Sequence, residues 1–168
     1  MDVTNDLSVI ARQEKKLLFK RFDEDTAWTL GSLLRKWAVE KQWPIVIDIR
    51  TPARLLFFAA LPGSAPDNVD WARRKSNAVL RCHRSSYGLG LELRRKGGTM
   101  ESRYGLPVAD YAVHGGSFPL IVHGTGVIGS VTISGLPQRD DHDTVVRALC
   151  VSLGLEPDEY AFPDEDAG

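Results

Sequence analysis

Few side chains in this sequence can do chemistry near neutral pH: His83, His114, His123 and His142, with Cys82 and Cys150 beside them. Imidazole is the one side chain that ordinarily titrates there. No two histidines stand at HxxxH spacing and the cysteines complete no local cluster, so no dedicated zinc site is expected. His114 is followed by Gly115, Gly116 and Ser117. Paired glycines can bring backbone amides against a ligand or can simply make a turn, and the sequence leaves both open. His142 follows Asp141 in the first turn of a predicted helix, where the positive end of the dipole disfavours imidazolium. Such a neutral ring can accept a proton, bind a metal, or serve only the turn.

Arg73, Arg74 and Lys75 form a basic run near the start of another predicted helix. Solvation is the usual fate of such a run, but cations there oppose the helix dipole and would suit an anionic partner. The candidate ligand-binding site is therefore His114, Gly115, Gly116, Ser117, Asp141 and His142, with Arg73, Arg74 and Lys75 supplying positive potential. His123, beside a hairpin turn, is left out. There is no G-x-S-x-G elbow, P-loop or strand-linked G-x-G-x-x-G, and no serine or cysteine is recognisably paired with a histidine. Catalytic residues, and whether any reaction is catalysed, are not legible.

The elements that must position these groups follow from periodicity. Val3, Leu7, Ile10 and Ala11 mark a first helix over 3–15. Leu17 to Phe22 reads as short and extended. Asp23 or Asp25 caps a long second helix with Ala27, Leu30, Leu34, Trp37 and Ala38 on one face, ended by Trp43-Pro44. The tryptophans are expected to be core anchors. Ile45, Ile47 and Ile49 alternate with Asp48 and Arg50 in a strand. Arg54 to Leu61, apolar on both faces, is expected to be a central strand of a covered sheet, hairpinned to the first. Asp48 and Arg50 read as a solvated or cross-strand pair.

Asp67 or Asn68 is expected to cap the basic-run helix. Residues 87–93 alternate like a strand, but Ser85 or Ser86 can cap a helix, Arg94 to Lys96 suit its C-terminus, and Gly97-Gly98 can end it; helix is the reading adopted. After Gly115-Gly116 come a strand, a turn at Gly124-Thr125 and a second strand with Val127, Gly129, Val131 and Ile133 on one side. Gly129 predicts a bulge or a close backbone approach. Asp140 or Asp141 is expected to cap the last helix, which Gly154 ends.

The chain has 168 residues, 43% hydrophobic and 26% charged, and is expected to be one domain over 1–155 with an acidic, loose tail over 156–168. Six of its acids lie after Leu155, so a net charge of −1 becomes +5 for the rest. No zinc-finger or RNP-like pattern accompanies that charge, and nucleic acid is not an expected partner. Reduced core thiols are expected of Cys82 and Cys150. No secretory leader is apparent and no apolar run approaches a membrane span, which leaves a cytoplasmic address as the default expectation.

The segments FDEDTAWTLG, PIVIDIR, LPGSAPDNVDWARRKSNAV, SSYGLGLELRRKGGT, YGLPVADYAVHGGSFPLIV and GVIGSVTISGLPQRDDH resemble an uncharacterised bacterial and fungal family. That family belongs to the GlcG-like, "haem-degrading" superfamily. The resemblance spans roughly residues 5–155, and HGGSFPL and SGLPQ–DH are its most specific blocks. It implies an α+β, profilin-like fold, a five-stranded antiparallel sheet with helices on its faces, and a homo-oligomer. Haem or a related tetrapyrrole becomes the candidate ligand, because relatives in the wider superfamily hold such groups through histidine. The alternatives are a non-enzymatic oligomer that binds partner proteins and, more weakly, an enzyme that degrades haem.

Overall fold

The computed structural model describes residues 3–163. Its described residues form six helices and five strands: α1 (Val3–Lys16), β1 (Leu18–Phe19), α2 (Glu24–Glu40), β2 (Val46–Arg50), β3 (Leu55–Ala60), α3 (Pro66–Cys82), α4 (Ser86–Arg95), α5 (Met100–Tyr104), β4 (Ser117–Val122), β5 (Gly126–Ser134) and α6 (Gln138–Leu153). The strands make one sheet in the order β1-β4-β5-β2-β3. Three of its pairings are antiparallel, but β1 runs parallel to β4, so the expected all-antiparallel sheet is in fact mixed. The parallel pair is allowed because α2, β2, β3 and the later helices separate β1 from β4 in sequence, the long crossover that parallel neighbours require.

The two faces follow from alternation in β2 and β5. Ile47, Ile49, Val131 and Ile133 join Ala27, Leu30 and Leu34 of α2 and Val145, Val146 and Leu149 of α6 in the main core. The opposite face carries Asp48, Ser130, Thr132 and Ser134, all buried, and is covered by α3. Such polar groups tolerate burial only when paired. Ser76 of α3 meets Ser130 at 2.7 Å, Ser117 meets Thr132 at 2.7 Å, and Arg50 Nε donates to Asp48 at 2.7 Å. Asp48 and Arg50 are thus a pair along one strand rather than across strands, with Asp48 buried and Arg50 half-buried. Gly129 is a close approach: a Cβ there would lie 2.3 Å from the Arg50 carbonyl oxygen. A register shift sits opposite it, between Leu120 and Ile121.

Several expectations hold. Asp23 caps α2 by accepting from Thr26 N at 2.9 Å, Ser85 caps α4 through Gly88 N at 3.2 Å, and Gly154 ends α6 at φ 68°. Residues 87–93 are helical. The apparent strand alternation there arises because Tyr87, Leu89, Leu91 and Leu93 are joined in burial by Gly88 and Gly90, which are small enough for neighbours to crowd them.

Others do not. α3 begins after Ala65, with Asn68 Oδ1 accepting from Ala65 N at 2.8 Å, and α6 begins after Pro137 rather than at an aspartate cap. β3 is an edge strand, and its apolar run leaves Leu55 50% and Phe58 43% exposed. Of the four tryptophans, Trp37 and Trp43 pack half-buried against the main core, whereas Trp71 lies half-buried outside it and Trp28 is 66% exposed. Aromatic size alone misled here, since a tryptophan can sit half in solvent on a helix face.

The tail also differs where it is described. A 3-10 turn at Pro157–Tyr160 docks against α1: Tyr160 is buried, and Gln13 Nε2 donates to its carbonyl at 2.7 Å. Phe162 lies edge-on to Tyr87 at 5.8 Å. Asp164, Glu165 and Asp166 lie outside the described residues. Cutting the chain after Leu155 removes both aromatic anchors and strands the Gln13 amide. It is expected to cost about 2–4 kcal/mol and lower Tm by roughly 5–10 °C, checked by thermal melting of the truncated chain.

Candidate functional site

Helix α3 places the site. Its Asn68, Trp71 and Lys75 recur at three and four residues and so share one stripe, which lines a cavity of about 260 Å³ together with His114, Ser134, Gly135, Leu136, Gln138 and Asp141. On the far side of Trp71 and His114 lies a second cavity of about 300 Å³, walled by Leu93, Met100, Val108 and Val113 and reached by Arg74 and Arg94. Trp71 and His114 belong to both, and their rings meet edge-to-face at 4.8 Å. His114 is exposed at this shared wall. Desolvation, followed by the charges of Lys75, Arg94 and Arg74, lowers its pKa below the usual imidazole value, so the ring is neutral at pH 7.

Lys75 and Asp141 form the floor of the first cavity. The ammonium donates to Asp141 Oδ2 at 2.9 Å and to the Ile133 carbonyl at 3.2 Å, with side chains only 4% and 2% exposed. Asp141 Oδ1 accepts from Leu136 N at 3.1 Å. Burial drives both groups toward neutrality: it raises Asp141 to about 6 against the pull of Lys75, and it lowers Lys75.

The two glycines make this pair possible. Gly116 has φ +120°, and a Cβ there would fall 2.5 Å from the Ile133 oxygen and 2.9 Å from Lys75 Nζ. At Gly115 a Cβ would fall 1.9 Å from the Gln138 oxygen. Both are consumed by packing: Gly115 N points to Gln138 Oε1 at 3.4 Å, and the Gly116 carbonyl accepts from Ile133 N at 2.8 Å. The turn reading of Gly115-Gly116 describes them better than the presentation of amides to a ligand.

The basic run is split by helical geometry. Lys75 points inward, whereas Arg73 binds Asp70 and Asp110, and Arg74 binds Asp70 while its guanidinium lies 4.1 Å over the Trp71 ring. Neither arginine is a bare charge awaiting an anion. Ser117 is buried against Ser86 and Thr132 and is not part of the cavity wall.

His142 does not share the cavity with His114. It is 1% exposed, with ring centroids of Tyr87, Phe118 and Phe162 at 5.3, 5.9 and 5.4 Å. Because the Gln13 amide nitrogen is committed to Tyr160, its Oε1 must accept from His142 Nε2, 2.9 Å away. That fixes the proton on Nε2 and leaves Nδ1 bare, without a partner among the described residues. The ring is neutral as expected, but the cause is different: burial first and the Arg139 charge second push its pKa down to about 3.

Of the residues expected at the site, the structure brings His114, Lys75 and Asp141 to one cavity, whose wall also includes Asn68, Trp71 and Gln138, which the sequence reading did not single out for it. The 68/71/75 spacing was the available signal. Helical rotation hides it: Lys75 is next to Arg73 and Arg74 in sequence but not on their face, and Trp71 stands half-buried at the cavity wall rather than in the core.

The family model described as "Haem degrading protein HbpS-like" matches residues 22–150. The chain belongs to the HbpS-like family. Among its relatives are "UPF0303 proteins" of Acidobacterium capsulatum, 53% identical and covering 97% of this chain and 99% of that one, and of Paraburkholderia phymatum, 56% identical over 96% and 98%. The Ybr137w crystal structure superposes with a TM-score of 0.82 at 29% identity, covering 90% of this chain and 92% of that one. The crystal structure of the PduOC:heme complex superposes at 0.66 with 18% identity, covering 81% and 97%, a likeness of HbpS-like fold alone.

His142 yields a pH prediction. Its folded pKa lies below the unfolded value of about 6.5, so the stability it protects is present above that pH and is lost as pH falls toward 3. The loss is at most about 1.4 kcal/mol per pH unit. Asp141, raised in the fold, acts with the opposite sign between about 6 and its ordinary value of 3.8. The comparison is therefore between wild type and His142→Phe, whose urea stability is expected to fall less steeply from pH 6.5 to 4.

Proposed function

We propose that this protein is a ligand-binding module whose site is the pair of cavities sharing Trp71 and His114, and that its ligand is an anionic tetrapyrrole such as haem. One observation carries the reading: an exposed imidazole, held neutral, stands where a polar cavity meets an apolar one. A neutral imidazole nitrogen is an iron donor. Leu93, Met100, Val108 and Val113 offer apolar wall to a macrocycle, and Arg94, with no carboxylate partner among the described residues, offers charge to a propionate. Each cavity alone lies near the lower end of the roughly 300–1,000 Å³ typical of small-ligand sites; a large planar ligand would have to use both. The haem named for the PduOC complex and in the HbpS-like family description supports this choice of ligand.

Iron bound through His114 would supply the redox chemistry, and the residues named here bind and orient the macrocycle around it. Titration with haemin is expected to give a saturable Soret shift that His114→Ala weakens at least tenfold, while His142→Phe binds as wild type. Equal binding by His114→Ala would sink the assignment. Loss of the Soret band when a reductant and dioxygen are both supplied, with an open-chain product, would add the haem-degrading activity to the binding reading.

A second reading rests on a different face. Edge strand β3 exposes Leu55 and Phe58, and Phe58 lines a cavity of about 520 Å³ together with Trp28 and Val39 of α2. An unpaired apolar edge of this kind invites a further chain, and we propose that a second copy covers it, making a homo-oligomer. Light scattering is expected to give more than the 18.6 kDa of one chain, and Phe58→Glu is expected to shift the population toward that mass. A wild-type monomer at micromolar concentration would contradict it.

A further inference from the structure

We infer that the polar cavity over Lys75 is a carboxylate-binding subsite, in which Lys75, Asn68 and Gln138 present donors to a small organic anion and Asp141 takes up a proton when the anion binds. Hydrogen-bonding capacity is what points to this ligand. Lys75 has three N–H groups, of which the protein uses two, on Asp141 and the Ile133 carbonyl. Asn68 accepts Ala65 N with its oxygen, so its amide hydrogens are the free end. Gln138 faces Gly115 N with its oxygen, so its hydrogens too are uncommitted among the described residues. The one carboxylate on the cavity wall, Asp141, is occupied by Lys75 and by Leu136 N. A wall rich in free donors and poor in free acceptors recognises anionic oxygen.

The ligand is small and partly apolar. The cavity holds about 260 Å³, and Trp71, His114 and Leu136 give it a hydrophobic side. A short-chain carboxylate fits that mixture, whether free or carried at the end of a larger ligand seated beyond His114. The subsite shares the Trp71 and His114 wall with the tetrapyrrole reading, but its donors, Lys75, Asn68 and Gln138, are distinct from the iron donor and from the apolar cavity.

Proton uptake follows from charge. With Asp141 ionised, the Lys75 charge is already balanced, and a second carboxylate would meet an aspartate next to its own cation. With Asp141 protonated, Lys75 is left with one positive charge for the ligand. Burial has already raised Asp141 to about 6. The other charged groups around it are Lys75 of α3, the His114 imidazole before β4, and Arg139 of α6, which bonds Asp6 and the Pro163 carbonyl. Of these, the His114 imidazole also gains positive charge as pH falls, so the pH dependence is read in His114→Ala, where Asp141 remains to supply it.

The test is a titration of the full chain with acetate, followed by amide NMR at pH 5.5 and 7.5, with acetamide as the uncharged control. Acetate is expected to shift Gly116, Leu136 and Gln138 amides saturably, with an affinity on the order of twentyfold higher at pH 5.5; acetamide is expected to do nothing. Asn68→Asp keeps the oxygen that accepts Ala65 N and replaces the free amide by negative charge. It is expected to weaken acetate at least tenfold with Tm unchanged, and Gln138→Leu to weaken it severalfold. Equal shifts with acetamide, a pH-independent affinity, or an unaffected Asn68→Asp would each overturn the inference. Haemin binding without acetate binding would defeat only this subsite, and acetate binding without haemin binding would defeat only the tetrapyrrole reading.

Discussion

The structure around the site depends on the Lys75–Asp141 ion pair. It joins α3, which covers the polar face of the sheet, to α6, which packs on the apolar face, across the end of β5 where Lys75 also holds the Ile133 carbonyl. Withdrawing two charges from water costs several kcal/mol each, which attraction recovers only when the remaining hydrogen bonds are good. Gly115 and Gly116 are the covalent consequence. Any side chain at either would displace Gln138 or collide with the pair itself. The most recognisable block of the sequence is therefore the cradle of a buried salt bridge, and the cavity is the opening above it.

A second buried polar joint stands one residue away and has no access to that opening. His142, Gln13 and the Tyr160 carbonyl form a chain that ties α6, α1 and the C-terminal turn together inside an aromatic cluster. The contrast between Asp141 and His142 shows how one helical turn separates roles. Rotation of about 100° per residue turns Asp141 to the cavity and His142 to the core. Histidine identity made His142 look functional, and burial makes it structural.

Much of the fold was legible because periodicity reports burial. The helix boundaries at Asp23, Ser85 and Gly154 and the β2 and β5 alternations were all readable from local chemistry. Three things were not. β3 reads as central by its apolar run and is an edge, because sequence shows that a strand is hydrophobic but not which molecule covers it. The tail looked loose because its acids outnumber its anchors, yet Tyr160 and Phe162 find receptors supplied by α1, α4 and α6. Within the site, Arg73, Arg74 and Lys75 read as one patch although a helix sends them different ways, two to carboxylates on the surface and one inside.

The likeness to HbpS-like proteins gives the fold, while the site argument rests on this chain's own donors and on the ion pair that positions them. A double-mutant cycle on Lys75→Met and Asp141→Asn, read by urea unfolding at pH 7.5, tests that foundation most directly. Each single variant leaves an uncompensated buried group and is expected to lose about 3–5 kcal/mol. The double variant removes both and is expected to lose less than either single one. Additive losses, or single variants as stable as wild type, would contradict the account.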